Sequence, residues 1–159
     1  MKIIFRLSFI AMLILLVQAC GNHPEKQFEP ESKSEIIQIS SGSQFGMCMG
    51  YCYNESVFKE GTQTKIQRAW RDTIANPEKI TNTDLKDSDW NKLQGSVKLL
   101  EFYALPEVIG CPDCADGGAG WIEIKTGEKT HRVTFEFGNV PTELAALVGE
   151  VKRLNKQDH

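Results

Sequence analysis

The amino-acid sequence predicts an α+β fold in which an antiparallel sheet, built from two β-hairpins, carries helices packed on one face. Three observations lead there. Residues 51–58 and 64–70 flank the turn residues Lys59-Glu60-Gly61-Thr62. Residues 121–125 and 131–137 flank a second turn, Thr126-Gly127-Glu128-Lys129. Both arrangements have the two-residue side-chain alternation of strands around turn chemistry. Near the C-terminus Leu144, Leu147, Val148, Val151 and Leu154 recur at the spacing that lines one face of a helix.

Taken in order, Ile36-Ile37-Gln38-Ile39 is a short β candidate, and Gly42, Gly46 and Gly50 mark an irregular stretch after it. In the first hairpin Thr64, Ile66, Arg68 and Trp70 share one face, and Lys65, Gln67 and Ala69 the other. Residues 72–84 carry Asn, Asp, Pro and Thr and read as loop. Asp87-Ser88-Asp89 is a good helix start before Trp90, Leu93 and Val97, with a second helical run from Leu100 to Tyr103 that Pro106 ends. In the second hairpin Val133, Phe135 and Phe137 oppose Arg132, Thr134 and Glu136. Pro141 opens the last helix, and Lys152 and Arg153 sit near its C-terminal, cation-preferring end. Asn155 to His159 are expected to fray.

The N-terminus is a different kind of segment. Lys2 and Arg6 precede an apolar run from Leu7 to Val17, and Val17-Gln18-Ala19-Cys20 follows. This is the layout of an export signal, with an apolar run too short for a comfortable membrane span. The end of the run resembles the bacterial lipobox, which implies cleavage before Cys20 and lipidation of its thiol. Residues 1–19 are then the signal peptide. Each buried methylene contributes about 0.8 kcal/mol, so two or three acyl chains hold a protein on a bilayer where one does not. Gly21 stands where an inner-membrane retention signal would have Asp, so the expected residence is the outer membrane. The polar segment 20–34, with Pro24 and Pro30, reads as a tether, and 35–159 as one domain.

The chain has 18 basic and 21 acidic side chains, a formal net charge of −3. Loss of Lys2 and Arg6 with the signal makes the mature protein two units more negative, which gives no reason to expect nucleic acid as a partner.

Four cysteines remain, as Cys48-Met49-Gly50-Tyr51-Cys52 and Cys111-Pro112-Asp113-Cys114. An even count outside the cytoplasm reads first as two disulfides. Three connectivities are open. Closure of each pair on itself is favoured where Gly50 and Pro112 permit tight turns, and cross-pairing wins if 48–52 is extended. Two further readings compete. Four thiolates could hold zinc, against which stand an oxidising compartment and the C-x₃-C half-site. Cys111 and Cys114 have the dithiol spacing of redox enzymes, but Ala115-Asp116-Gly117-Gly118-Ala119-Gly120 and a strand follow them, where such enzymes have a helix.

Other chemistry is thin. Asp113 and Asp116 lack the full ligand set of a calcium loop, and Gly117-Gly118-Ala119-Gly120 precedes a strand without the Lys or Ser/Thr of a phosphate loop. His131 is the one histidine within an expected element, and no catalytic triad or paired carboxylates emerge from spacing. Trp70, Trp90 and Trp121 are expected in the core. No cofactor is implied, and the expectation is a non-enzymatic domain.

The segment Gly46-Met47-Cys48-Met49-Gly50-Tyr51-Cys52, leading into a strand and hairpin, resembles a family of small Bacteroidetes-type lipoproteins with a C-x-G-x-C-P-x-Y signature. The cysteines and central glycine are kept, while Tyr53-Asn54 stands where Pro and its neighbour would be. The resemblance implies an exported α+β domain without an established activity. The expected function is therefore a membrane-anchored envelope lipoprotein binding an envelope protein or glycan. The alternative is an envelope thiol-redox or metal-binding protein using the C-x-x-C pair.

Overall fold

Strand β1 (Ile36–Gln44) is nine residues long and lies at the middle of the architecture. It comes from a computed structural model describing residues 35–156. The expected signal peptide (1–19), Cys20 and the expected tether lie outside the described residues. On one side β1 pairs antiparallel with β2 (Tyr51–Lys59), and on the other with β6 (Ala119–Thr126). It thereby joins the two expected hairpins, β2–β3 (Thr62–Ala69) and β6–β7 (Thr130–Glu136), into one sheet.

Two more strands complete it. β4 (Lys79–Asp84) pairs with β3 along the stretch expected to be loop, and β5 (Val108–Ile109) runs parallel to β7. The result is a mixed seven-stranded sheet in the order β4-β3-β2-β1-β6-β7-β5, which corrects the expectation of a simple two-hairpin antiparallel sheet. The physical reason is that Ser40, Ser41, Gly42, Ser43 and Gln44 give no alternation to read, yet their backbone amides and carbonyls find partners on both sides. Lys79–Asp84 has no buried residue on either face and is held by its ladder with β3.

Among the described residues three helices pack against the sheet. α1 (Asp87–Gly95) begins with Asp87 and Asp89 in its first turn, where carboxylates complement the helix N-terminus. α2 (Leu99–Ala104) is short and ends before Pro106. A 3₁₀ turn, Thr142–Leu144, leads into α3 (Ala145–Lys156), which buries Leu147, Val148, Val151 and Leu154. These meet Ile39, Phe58, Ile122, Ile124 and Val133 from the sheet, with Trp90, Leu93 and Phe102 from α1 and α2. Core side chains of this kind each cost about 2–5 kcal/mol on truncation to Ala. Arg153 of α3 bonds Asp89 of α1 at 2.7 Å and Glu150 at 2.8 Å, pinning the two helices together.

The end of α3 is firmer than expected. Asn155 Oδ1 accepts hydrogen bonds from Ser56 Oγ and Gln63 Nε2, each at 2.9 Å, and its carbonyl accepts one from Lys65 Nζ at 3.2 Å. These partners, far away in sequence, hold Asn155 in the helix.

The tryptophans divide. Trp90 is in the helix-facing core. Trp121 is 2% exposed but faces away from the helices, and Trp70 is 48% exposed, correcting the expectation that all three are core. Arg132 stacks on Trp121 at 4.0 Å and Arg68 on Tyr53 at 5.2 Å, while Tyr53 lies 6.4 Å from Trp121 and 5.9 Å from Trp70. This ladder of aromatic and guanidinium groups covers the second face of the sheet.

Candidate functional site at the cysteine-bearing loop end

Four connections emerge at one end of the sheet because β1, β3, β5 and β7 end there while β2, β4 and β6 begin. They are the loops 45–50, 70–78, 110–118 and 137–141. All four domain cysteines lie in or beside two of them.

Each cysteine pair is closed on itself, Cys48 to Cys52 and Cys111 to Cys114, with Cα atoms 5.8 and 5.5 Å apart, well inside bridging range. The chain turns back over 48–52 through Gly50 at φ 77°, so the segment is not extended throughout. A bulge lies between Tyr51 and Tyr53, with Cys52 as its extra residue. Cys52 is consequently buried and Cys48 half-buried.

The second pair stands in a different setting. Cys111 and Cys114 are both exposed. Asp113, Ala115 and Asp116 have φ of 60°, 53° and 58°, a left-handed conformation that costs an L-residue about 1–2 kcal/mol each. A single 3₁₀ turn, Cys114–Asp116, follows the pair and then β6 begins, so no α-helix starts at the sulfurs. The loop is held from within by Asp113 N–H to the Gly118 carbonyl and Gly118 N–H to Asp113 Oδ1, both 3.1 Å. From outside, Glu136 Oε1 accepts the Cys111 N–H at 2.9 Å. That bond, and then one from the Asn139 side chain, hold the Glu136 carboxyl below its usual range.

The two cysteine loops abut. A Cβ at Gly46 would stand 3.0 Å from Asp113 Oδ2, and one at Gly118 would stand 2.3 Å from the Phe45 ring. Phe45 meets Phe137 edge-on at 4.7 Å, and its carbonyl accepts the Trp70 Nε1–H at 3.1 Å. In the loops at this end Met47, Met49, Trp70, Ile74 and Phe137 are exposed, Met49 at 88% and Ile74 at 95%. No local pattern shows that these apolar side chains share an end of the sheet with the cysteines, since three separate loops supply them.

Of the remaining candidates, Asp113 and His131 have structural partners. Asp113 is engaged by its own loop, and among the described residues no three His, Cys, Asp or Glu side chains converge to hold a metal. His131 Nε2 is 3.0 Å from the Leu105 carbonyl, and its ring meets Phe102 and Tyr103 edge-on. Among the described residues no helix is long and apolar enough to cross a membrane. Neither the models of known protein families nor the characterised proteins compared with the chain match it.

Proposed function

We propose that this chain is a lipid-anchored cell-envelope protein whose domain takes part in thiol–disulfide exchange through Cys111 and Cys114. The observation that carries the exchange is the contrast between the pairs: Cys52 is buried, whereas both sulfur-bearing residues of the second pair are open to a partner. The left-handed backbone across Asp113–Asp116 adds local strain of the kind that accumulates at working loops. The exposed apolar side chains in the loops at the same end of the sheet offer purchase for a partner protein.

In the exchange a partner thiolate attacks one sulfur of the Cys111–Cys114 bond, which breaks as a mixed disulfide forms. The departing sulfur takes up a proton. A second partner thiolate then attacks the mixed disulfide, releasing the partner in its disulfide form and leaving Cys111 and Cys114 as two thiols. Two electrons and two protons have passed from partner to protein.

The anchor rests on Lys2, Arg6, the apolar run to Val17 and Ala19-Cys20, and outer-membrane residence on Gly21. The likeness of Gly46–Cys52 to Bacteroidetes-type lipoproteins agrees with that placement. Labelling with a palmitate analogue is expected to mark the wild type and not Cys20→Ser.

Exchange is tested by alkylation and intact mass across a dithiol titration. Cys111–Cys114 is expected to open first, and Cys111→Ser or Cys114→Ser to trap mixed disulfides in envelopes. Equal resistance of both pairs to reductant, with no trapped partner, would overturn the exchange reading. The result would then favour a second reading, a non-enzymatic domain binding an envelope component, which a cleft beside α3 supports.

A further inference from the structure

The helices cover only part of their face of the sheet. Pairing places Ile39, Phe58 and Ile124 on the helix side, and continuing the register places Ser41, Ser43, Asn54, Ser56, Lys65, Gln67, Lys79 and Thr81 on the same side. α3 packs over the apolar part. Beside it the polar part remains open as a cleft of about 630 Å³, within the range that takes a small ligand.

The cleft has two chemically distinct sides. Phe135, Phe137, Val140, Val148 and Val151 make an apolar wall, and hydroxyl and amide side chains make the floor. Three lysines line it: Lys65, Lys79 and Lys152. Lys65 and Lys79 are diagonal neighbours on adjacent strands, and Lys152 lies one helical turn before Asn155, whose carbonyl Lys65 bonds. Lys79 Nζ sits 4.5 Å above the Tyr51 ring, which the bulge at Cys52 turns to this face while Tyr53 goes to the other. The one acidic residue at the border, Glu55, accepts the Tyr53 hydroxyl at 2.7 Å on the opposite face. A cationic cleft thus lies on a chain whose net charge is −3.

We infer that this cleft binds a single-chain anionic amphiphile, its carboxylate or phosphate head at Lys79 and Lys152 and its chain along Phe137, Val148 and Val151. Charge complementarity selects the head, and the apolar wall selects the chain. The inference is independent of the cysteine chemistry, which uses other residues.

The test uses the full chain carrying Cys20→Ser, so that no attached acyl group competes, and the fluorescent probe dansyl-undecanoate. Saturable binding is expected, weakened at least tenfold in Lys79→Glu/Lys152→Glu and for the uncharged methyl ester of the probe. Thr81→Trp, at an exposed position, is expected to block the cleft with the circular dichroism unchanged. Competition by undecanoate against lysophosphatidate separates a free acid from a lipid headgroup as the source. Absence of saturation, equal binding of the ester, indifference to charge reversal, or full displacement by inorganic phosphate would each overturn the inference.

Discussion

Gly42 on β1 and Trp121 on β6 stand opposite each other, and the indole fills the space that a side chain at Gly42 would need. A Cβ there would lie 2.4 Å from Trp121 Cζ2 and 2.7 Å from the Asn54 carbonyl oxygen. Gly42→Ala is therefore expected to destabilise the domain by about 1–3 kcal/mol, read as a lower urea midpoint. Trp121 Nε1 has no hydrogen-bond partner among the described residues, so Trp121→Leu loses packing and no hydrogen bond. In that background the Gly42→Ala penalty should shrink; strictly additive penalties would show that the indole is not the obstacle.

Asn155 is the point where α3 is tied to the far strands. Its replacement by Ala leaves Ser56 and Gln63, both buried, without the acceptor they share. The expected loss is about 1–3 kcal/mol in equilibrium unfolding, the cost of a stranded buried polar group. An unchanged midpoint would mean that water or another side chain takes over the role.

Tyr53 should ionise late. Burial, and then its hydrogen bond to Glu55, push the hydroxyl up to about 12. The folded value lies above the unfolded value of about 10, so the contribution to stability is whole below the unfolded value and is lost as pH rises through the folded one. A tyrosinate absorbance titration is expected to show a late component that Tyr53→Phe removes.

Glu136 carries the opposite sign. Its folded value is depressed by the Cys111 N–H and by Asn139, so its contribution is present above the usual unfolded carboxyl value, about 4.3, and is lost as pH falls through the folded one. The Cys111 amide proton shift, followed by NMR, should titrate with a midpoint below that ordinary value. Glu136→Gln should abolish the step, and a midpoint at the ordinary value would count against the bond.

Strands β2, β3, β6 and β7 and helix α3 were legible because the signal for each lies within a dozen neighbouring residues: alternation for the strands, and a repeated apolar face from Leu147 to Leu154 for the helix. β4 was not, because Lys79–Asp84 has no buried face and exists through its ladder to β3. β5 is two residues long and parallel, so nothing local announces it. Of the loop end, the cysteines and their spacing could be read directly. Their unequal exposure and the company of Trp70 and Phe137 could not.

The spacing of the cysteines, the hairpins and the expectation of an anchor at Cys20 are written in contiguous residues, whereas the closure of each cysteine pair on itself came from the folded chain. Only the tertiary structure decided that β1 joins the hairpins, that Cys111–Cys114 is the open pair, and that three lysines converge on one cleft. The reason is sequence separation: Lys65, Lys79 and Lys152 meet through strand pairing and helix packing, which no local pattern encodes.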